Sequence, residues 1–272
     1  SLPNYLKDFP YVNGGLFRDK QPIPKFTTKS RNILIEIGTL DWSEINPDIF
    51  GSMIQAVVTP EHRGDMGMHY TSVPNIMKVI QPLFLDELYE EFEKAKGYAK
   101  KLNLLHLRIQ NIKFFDSACG SGNFLIISYK EIRKLEMLIF KEGGLLICPS
   151  IKLTQFYGIE LDDFAHEVAI LSLWLAEHQM NVLFKKEFGT VPPALPLQDG
   201  GNIVHGNATR LDWEKVCPKN INDEIYILGN PPYLGFLQQN RIQKEDMDYV
   251  FADRDTIRKL DYISCWFYLG AK

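Results

Sequence analysis

Apolar positions along the chain alternate between short solid runs and longer stretches of helical spacing. The solid runs are Ile112-Lys113-Phe114-Phe115-Asp116, Phe156-Tyr157-Gly158-Ile159-Glu160, Ile203-Val204-His205 and Ile225-Tyr226-Ile227-Leu228-Gly229. Runs of this length, bounded by polar or glycine-rich segments, predict buried strands. Apolar residues at intervals of three and four predict helices over about Phe124–Phe140 and Ala165–Gln179. Two more helices are predicted over Pro74–Arg108, split near Gly97, and a last helical pattern covers Leu260–Tyr268. Strands separated by helices describe an α/β fold with an open sheet, whose ligands bind at the carboxyl ends of the strands. Residues 1–65 read as an irregular, partly helical lead-in, rich in proline, and residues 66–272 as one larger domain. Gly189–Asn202 is predicted as a loop on the ligand side. Gly235–Asp255, polar and charged, is predicted as a mobile loop.

The four predicted strand tips carry the candidate chemistry. The first leads into Asp116-Ser117-Ala118-Cys119-Gly120-Ser121-Gly122-Asn123. Gly120 and Gly122 let a ligand approach the main chain. The spacing is not G-x-G-x-x-G and the turn has no basic residue, which argues against a pyrophosphate. Asp116 is placed to meet an amine, although a tight strand–helix connection without a ligand would look the same. At the second tip Glu160 can accept both hydroxyls of a ribose, or simply end the strand in solvent. Asp162 or Asp163 would cap the following helix. The third tip is Gly206-Asn207-Ala208. The fourth is Asn230-Pro231-Pro232-Tyr233, which delivers an amide, two rigid residues and an aromatic ring to one sheet edge. Each proline fixes its own φ and holds the preceding residue extended, so the carbonyls are aimed in advance. The Asn230 side chain and the Pro231 carbonyl can accept the hydrogens of an NH2 group while Tyr233 offers a stacking face. Taken alone, this tetrapeptide also suits a tight turn after an edge strand. Adenosyl recognition on three tips and amino-group recognition on the fourth fit one reaction, methyl transfer from S-adenosylmethionine to nitrogen.

In this order the motifs resemble the gamma-class N6-adenine DNA methyltransferases, where a methionine-binding motif precedes the Gly-rich turn; Gly67-Met68-His69-Tyr70-Thr71 matches it. The resemblance implies a Rossmann-like S-adenosylmethionine-dependent methyltransferase sheet, C-terminally incomplete. Tyr70 and Thr71, with His69 beside them, would meet the methionyl end of the cofactor; for His69 a packing role is equally open. Asp116, Ala118, Gly120, Gly122 and Asn123 would line its backbone side. Glu160 would bind the ribose, Leu161 would pack on the adenine, and Asn207 and Ala208 would sit at the adenine edge. Asn230 and Pro231 would grip the target amine, with Pro232 fixing the turn and Tyr233 stacked on the base. The third motif of the family usually has an acid where this chain has Asn207, whose carbonyl would accept the adenine amine without charge assistance. Gly14-Gly15-Leu16-Phe17 and Asp41–Gly51 also resemble the lead-in of single-polypeptide restriction–modification enzymes of types IIG and IIL.

Composition adjusts this picture. A chain of 272 residues with 45% hydrophobic content can bury a full core. Cys119, Cys148, Cys217 and Cys265 are scattered, and the six histidines show no metal-binding spacing, so no metal site is expected. No signal peptide or membrane span is evident, and the expected location is the cytoplasm. The net charge of −4 sits awkwardly with DNA binding, which draws on clustered Lys and Arg. Lys94–Lys101 alternates with glutamate as on a solvated helix face, and Lys185-Lys186 is short. The resolution proposed from the sequence is a catalytic fragment. Double-stranded DNA would then be engaged through a recognition domain outside this chain, and a nuclease could be linked to the same polypeptide. The expected mechanism is direct in-line displacement on a flipped adenine, without a metal or covalent intermediate. Methylation of a protein glutamine amide or of guanine in RNA, and a non-catalytic cofactor-binding module, are the alternatives; the last is the expectation for the fragment in isolation.

Overall fold

The computed structural model describes residues 25–40, 49, 71–143, 146–189, 202–221, 223–252 and 259–272. His69, Tyr70, most of the lead-in and most of the Gly189–Asn202 segment lie outside the described residues. Within the lead-in, α1 (Thr28–Ile37) starts where the Thr27 side chain accepts from Ser30 N, and none of its residues is buried.

Helix α2 (Val73–Ile80) opens with Pro74 in its first turn, where a missing N–H costs nothing. It runs through a π-helical turn, Gln81–Leu85, into α3 (Asp86–Ala95). Pro82 has no N–H to donate, and the turn closes one residue wider, Asp86 N donating to Gln81 O. Gly97, at φ 74°, separates α3 from α4 (Ala99–Asn111), as the sequence predicts.

Four parallel strands follow: β1 (Ile112–Asp116), β2 (Phe156–Glu160), β3 (Asn202–His205) and β4 (Glu224–Ile227). Their order in the sheet is β3-β2-β1-β4. Helices α5 (Asn123–Lys141) and α6 (Asp163–Phe188) connect the first three strands, and α7 (Trp213–Val216) lies between β3 and β4. The α/β expectation therefore holds, with all four strands within a residue or two of their predicted places.

Alternation along β1 explains why both sheet faces are covered. Phe114 points into the main core, stacked on Phe156 with centroids 5.0 Å apart, beside the buried Phe84 and Tyr129. Phe115 points to the other face and meets Ile159, Ala208, Cys217 and Trp213. Each such aromatic or aliphatic side chain, fully buried, contributes roughly 1.5–3 kcal/mol.

Two segments depart from expectation. Helix α6 extends past Gln179 because Met180 and Phe184 continue its buried stripe, until Gly189 at φ 80° ends it. The stretch predicted as a mobile loop after Asn-Pro-Pro-Tyr instead contains α8 (Arg241–Val250). A reciprocal cap between Asn240 and Gln243 starts this helix, and Asp246, Met247 and Val250 are buried beneath it. It packs with α9 (Ser264–Gly270) around Met247, Tyr262 and Cys265.

Candidate active site

The chain visits β1, β2 and β3 in one direction and then returns to place β4 on the far side of β1. The crevice outside the β1 and β4 tips is therefore the switch point of the sheet, where open α/β folds bind ligands.

At the first tip, Asp116 is 1% exposed and its Oδ1 accepts from Ala118 N at 3.0 Å. Burial pushes its carboxyl up to about 7; the Ala118 N–H opposes this and the nearby Glu160 adds to it. Gly120 (φ 55°) and Gly122 (φ 84°) adopt left-handed angles. A Cβ at Gly120 would meet nothing within 4 Å, so a ligand can reach that backbone, whereas one at Gly122 would press on Ala169 at 3.3 Å. Asn123 is buried at the start of α5. Cys119 is also buried: its Sγ would lie 2.9 Å from a Cβ at Gly158, and burial pushes its thiol up, which removes it as a nucleophile.

Glu160 at the second tip is drawn inward. Its Oε2 accepts from Gly120 N at 2.7 Å and its Oε1 from Asp162 N at 2.9 Å, and burial raises its carboxyl above the usual range. The Glu160 carboxylate thus ties the Gly-rich turn to the second tip. Leu161 beside it is 57% exposed, an apolar face open at the rim. Asp162 caps α6, accepting from Ala165 N at 2.8 Å. The third tip is joined to the second by Gly206 N donating to Glu160 O at 2.8 Å.

Asn207 departs from its expected role. Its Oδ1 accepts from Thr209 N at 2.9 Å and Thr209 Oγ1 at 2.7 Å, which occupies both lone pairs. The carbonyl that was to take an adenine amine is spent on its own turn. Ala208 is buried, and its carbonyl accepts from Trp213 Nε1 at 2.8 Å.

At the fourth tip the structure brings together residues far apart in sequence. Asn230 Nδ2 donates to Thr71 Oγ1 at 3.2 Å. That bond fixes the amide so that its oxygen is the group left to accept a substrate hydrogen. Pro231 and Pro232 are partly buried and Tyr233 is 56% exposed. Sequence reasoning missed Gly229, at φ 144°. A methyl here would stand 2.9 Å from Asp116 Cγ and 3.2 Å from Oδ2, so the carboxyl of the first tip rests directly on the backbone entering Asn-Pro-Pro-Tyr. Trp266 was missed as well; its indole donates to Ser117 O at 3.3 Å and ties α9 to the Gly-rich turn.

A second polar cluster joins Ser150, His106 and Glu136. Ser150 Oγ lies 2.9 Å from His106 Nε2 and donates to Glu136 Oε1 at 2.7 Å, while Glu136 approaches the same ring nitrogen at 3.4 Å. A base oriented for nucleophile activation is held by the acid through its other nitrogen, so this cluster is a packing network. Among the described residues no group of His, Cys, Asp or Glu could hold a metal ion, and no helix is long and apolar enough to cross a membrane.

Residues 92–272 match the family model described as the DNA-methyltransferase domain of MmeI. The whole chain is 55% identical over 278 residues to DNA methyltransferase A of Bacillus subtilis (strain 168), and spans 32% of that protein. A putative type II restriction enzyme and methyltransferase of Methanocaldococcus jannaschii is 30% identical over 226 residues, with 63% of this chain and 19% of that protein covered. Among solved structures, the type IIL restriction-modification enzyme MmeI in complex with DNA superimposes with a TM-score of 0.86 at 40% identity, over 99% of this chain and 37% of that one. The chain thus spans about a third of the length of the relatives it matches over its full extent.

Proposed function

The chain belongs to the MmeI DNA-methyltransferase domain family, and on that premise we propose that it forms the catalytic core that methylates the N6 amine of adenine in double-stranded DNA, with S-adenosylmethionine as donor. The observation that carries this reading is the meeting of Asp116, Gly229, Asn230 and Thr71 at the switch point between β1 and β4. The residues fit the donor: an open glycine backbone at Gly120, carboxyls at both adjoining tips, and an exposed Leu161 to pack on a purine. S-adenosylmethionine supplies an electrophilic methyl group on a sulfonium. Asp116 holds its ammonium, Glu160 its ribose hydroxyls, and Thr71 lies at the methionyl end. His69 and Tyr70, assigned to that end from the sequence, lie outside the described residues.

Adenine leaves the stack to bring its amine to this tip. Asn230 Oδ1 and the Pro231 carbonyl accept the two amino hydrogens, drawing the nitrogen toward tetrahedral geometry and freeing its lone pair. Tyr233 stacks on the base, and Pro232 keeps the two acceptors aimed. Positioning and preorganised dipoles supply most of the rate gain. A restriction–modification role is supported by the names of the M. jannaschii protein and of MmeI. On this reading the chain is the part of a cytoplasmic polypeptide that holds cofactor and target base, while DNA recognition and any nuclease lie elsewhere in it. The DNA-methyltransferase family match favours DNA over a glutamine amide or RNA guanine. Mass spectrometry of duplex DNA methylated by the full polypeptide should find N6-methyladenine; N4-methylcytosine, or label in protein or RNA alone, would overturn this assignment.

A pH dependence follows from Asp116. Its carboxyl, raised to about 7 by burial, must ionise to meet the ammonium. Below pH 7 cofactor binding therefore releases a proton, and affinity should fall by up to about tenfold per pH unit. Calorimetry in two buffers of different ionisation enthalpy reads the released proton directly. Asp116→Asn should flatten the profile, and a profile already flat from about pH 5.5 to 8 in the wild type would remove Asp116 from this role.

A further inference from the structure

We infer that Asp246 is a positioning residue for the cofactor's adenine edge, and that position 207 carries an amide because Asp246 stands beside it. Asp246 is 2% exposed and receives three donors from two segments: Asn207 Nδ2 at 3.0 Å, Arg210 Nε at 2.7 Å and Tyr262 OH at 2.8 Å. Two of these lie on the third strand tip, one lies ahead of α9, and Asp246 itself is on α8. The carboxylate therefore binds the third tip to the helical pair that follows Asn-Pro-Pro-Tyr. The same pair is pinned to the fourth tip, since Tyr262 N donates to Leu234 O at 3.0 Å and Leu234 N to Asp261 Oδ1 at 2.9 Å. Arg210 is held from the other side, its guanidinium 4.4 Å from the Tyr249 ring centre.

The amide at 207 is the residue this arrangement admits. One side of it donates to Asp246 while the other accepts twice from Thr209. An aspartate in its place would bring two carboxylates to within hydrogen-bond distance in a buried site, where both cannot stay ionised. The acid that the third motif usually carries is thus present in the fold but enters from α8. Asp246 is bonded to Asn207 and Arg210, so it acts through them by holding Gly206–Arg210 in shape.

This inference rests on the proposal that a cofactor purine lies against the third tip, and a charge swap in the full polypeptide tests it. S-adenosylhomocysteine binding, methylation kinetics and melting temperature are compared for the wild type, Asn207→Asp, Asp246→Asn and the double variant. Each single change should weaken cofactor binding about tenfold, and the double variant should recover most of the loss because one acid and one amide again face each other. The KM for cofactor should move with the dissociation constant while the KM for DNA stays in place, a split that plain destabilisation would not produce. Tyr262→Phe removes one donor with little change of volume and should weaken binding in the same direction, about threefold, should Asp246→Asn fail to fold. Asn207→Asp binding the cofactor as well as or better than wild type would overturn the inference, as would simple additivity in the double variant. A wild-type protein that binds no cofactor would instead defeat the functional reading. The melting-temperature cycle still tests the pairing in that event, because recovery supports it and additivity overturns it.

Discussion

Asn230→Ala in the full polypeptide is expected to lower methyl transfer by about two to three orders of magnitude while leaving cofactor affinity nearly unchanged. The amide stands at the end of the sheet's topological switch, oriented by its bond from Nδ2 to Thr71 Oγ1 at 3.2 Å. On the proposed mechanism its oxygen would face where charge develops as the target nitrogen becomes tetrahedral, so the bond would strengthen along the reaction and its loss would fall mainly on kcat. The cofactor contacts assigned to Asp116 and Glu160 do not pass through it, apart from the link to Thr71. Single-turnover kinetics beside calorimetry separates the two quantities. A rate within tenfold of wild type, or an equal loss of cofactor affinity, would return Asn230 to a structural turn.

Gly229→Ala is expected to damage both halves of the site at once. The residue sits at φ 144°, a backbone conformation that an L side chain rarely adopts, and strain there costs roughly 1–3 kcal/mol. The added methyl would also stand 2.9 Å from Asp116 Cγ, in a site where Asp116 is 1% exposed. Either the carboxyl shifts away from the ammonium it is to hold, or Asn230 shifts away from the target amine. Cofactor affinity and turnover should therefore both fall, by roughly tenfold or more each, with a lowered melting temperature. Gly235→Ala is the matched control: its Cβ would meet nothing within 4 Å, so its effect should stay within about 0.5 kcal/mol. Equal behaviour of the two variants would show that the contact between the tips is unimportant.

The strands were legible because parallel strands buried on both faces must be short solid apolar runs, and β1 and β2 are such runs. Asp116 and Glu160 at strand ends, and Asn230 just beyond β4, were legible as tip residues because each stands where an apolar run stops. Helix α8 was not legible. Its buried positions, Gln243, Asp246, Met247 and Val250, have helical spacing, but two of the four are polar, and an apolar-periodicity reading discards them. The partners that make Asp246 interior, Arg210 and Tyr262, come from elsewhere in the chain. Asn207 misled for the same reason: one position in one motif shows an acid missing, and only the fold shows another acid arriving beside it. Gly229 looked like an ordinary end to a strand until the carboxyl of Asp116 was seen against it.

Two indole hydrogen bonds give the site an optical label of its own. Trp266 donates to the Ser117 carbonyl in the Gly-rich turn, and Trp213 to the Ala208 carbonyl at the third tip. The chain has four tryptophans, and these two are wired to the loops between which the cofactor is proposed to lie. Movement of either carbonyl would change the polarity felt by an emitting ring, so occupancy of the crevice is expected to change the intrinsic fluorescence. The affinities on which the variants above are to be ranked are then open to measurement without a dye, a tag or a labelled ligand.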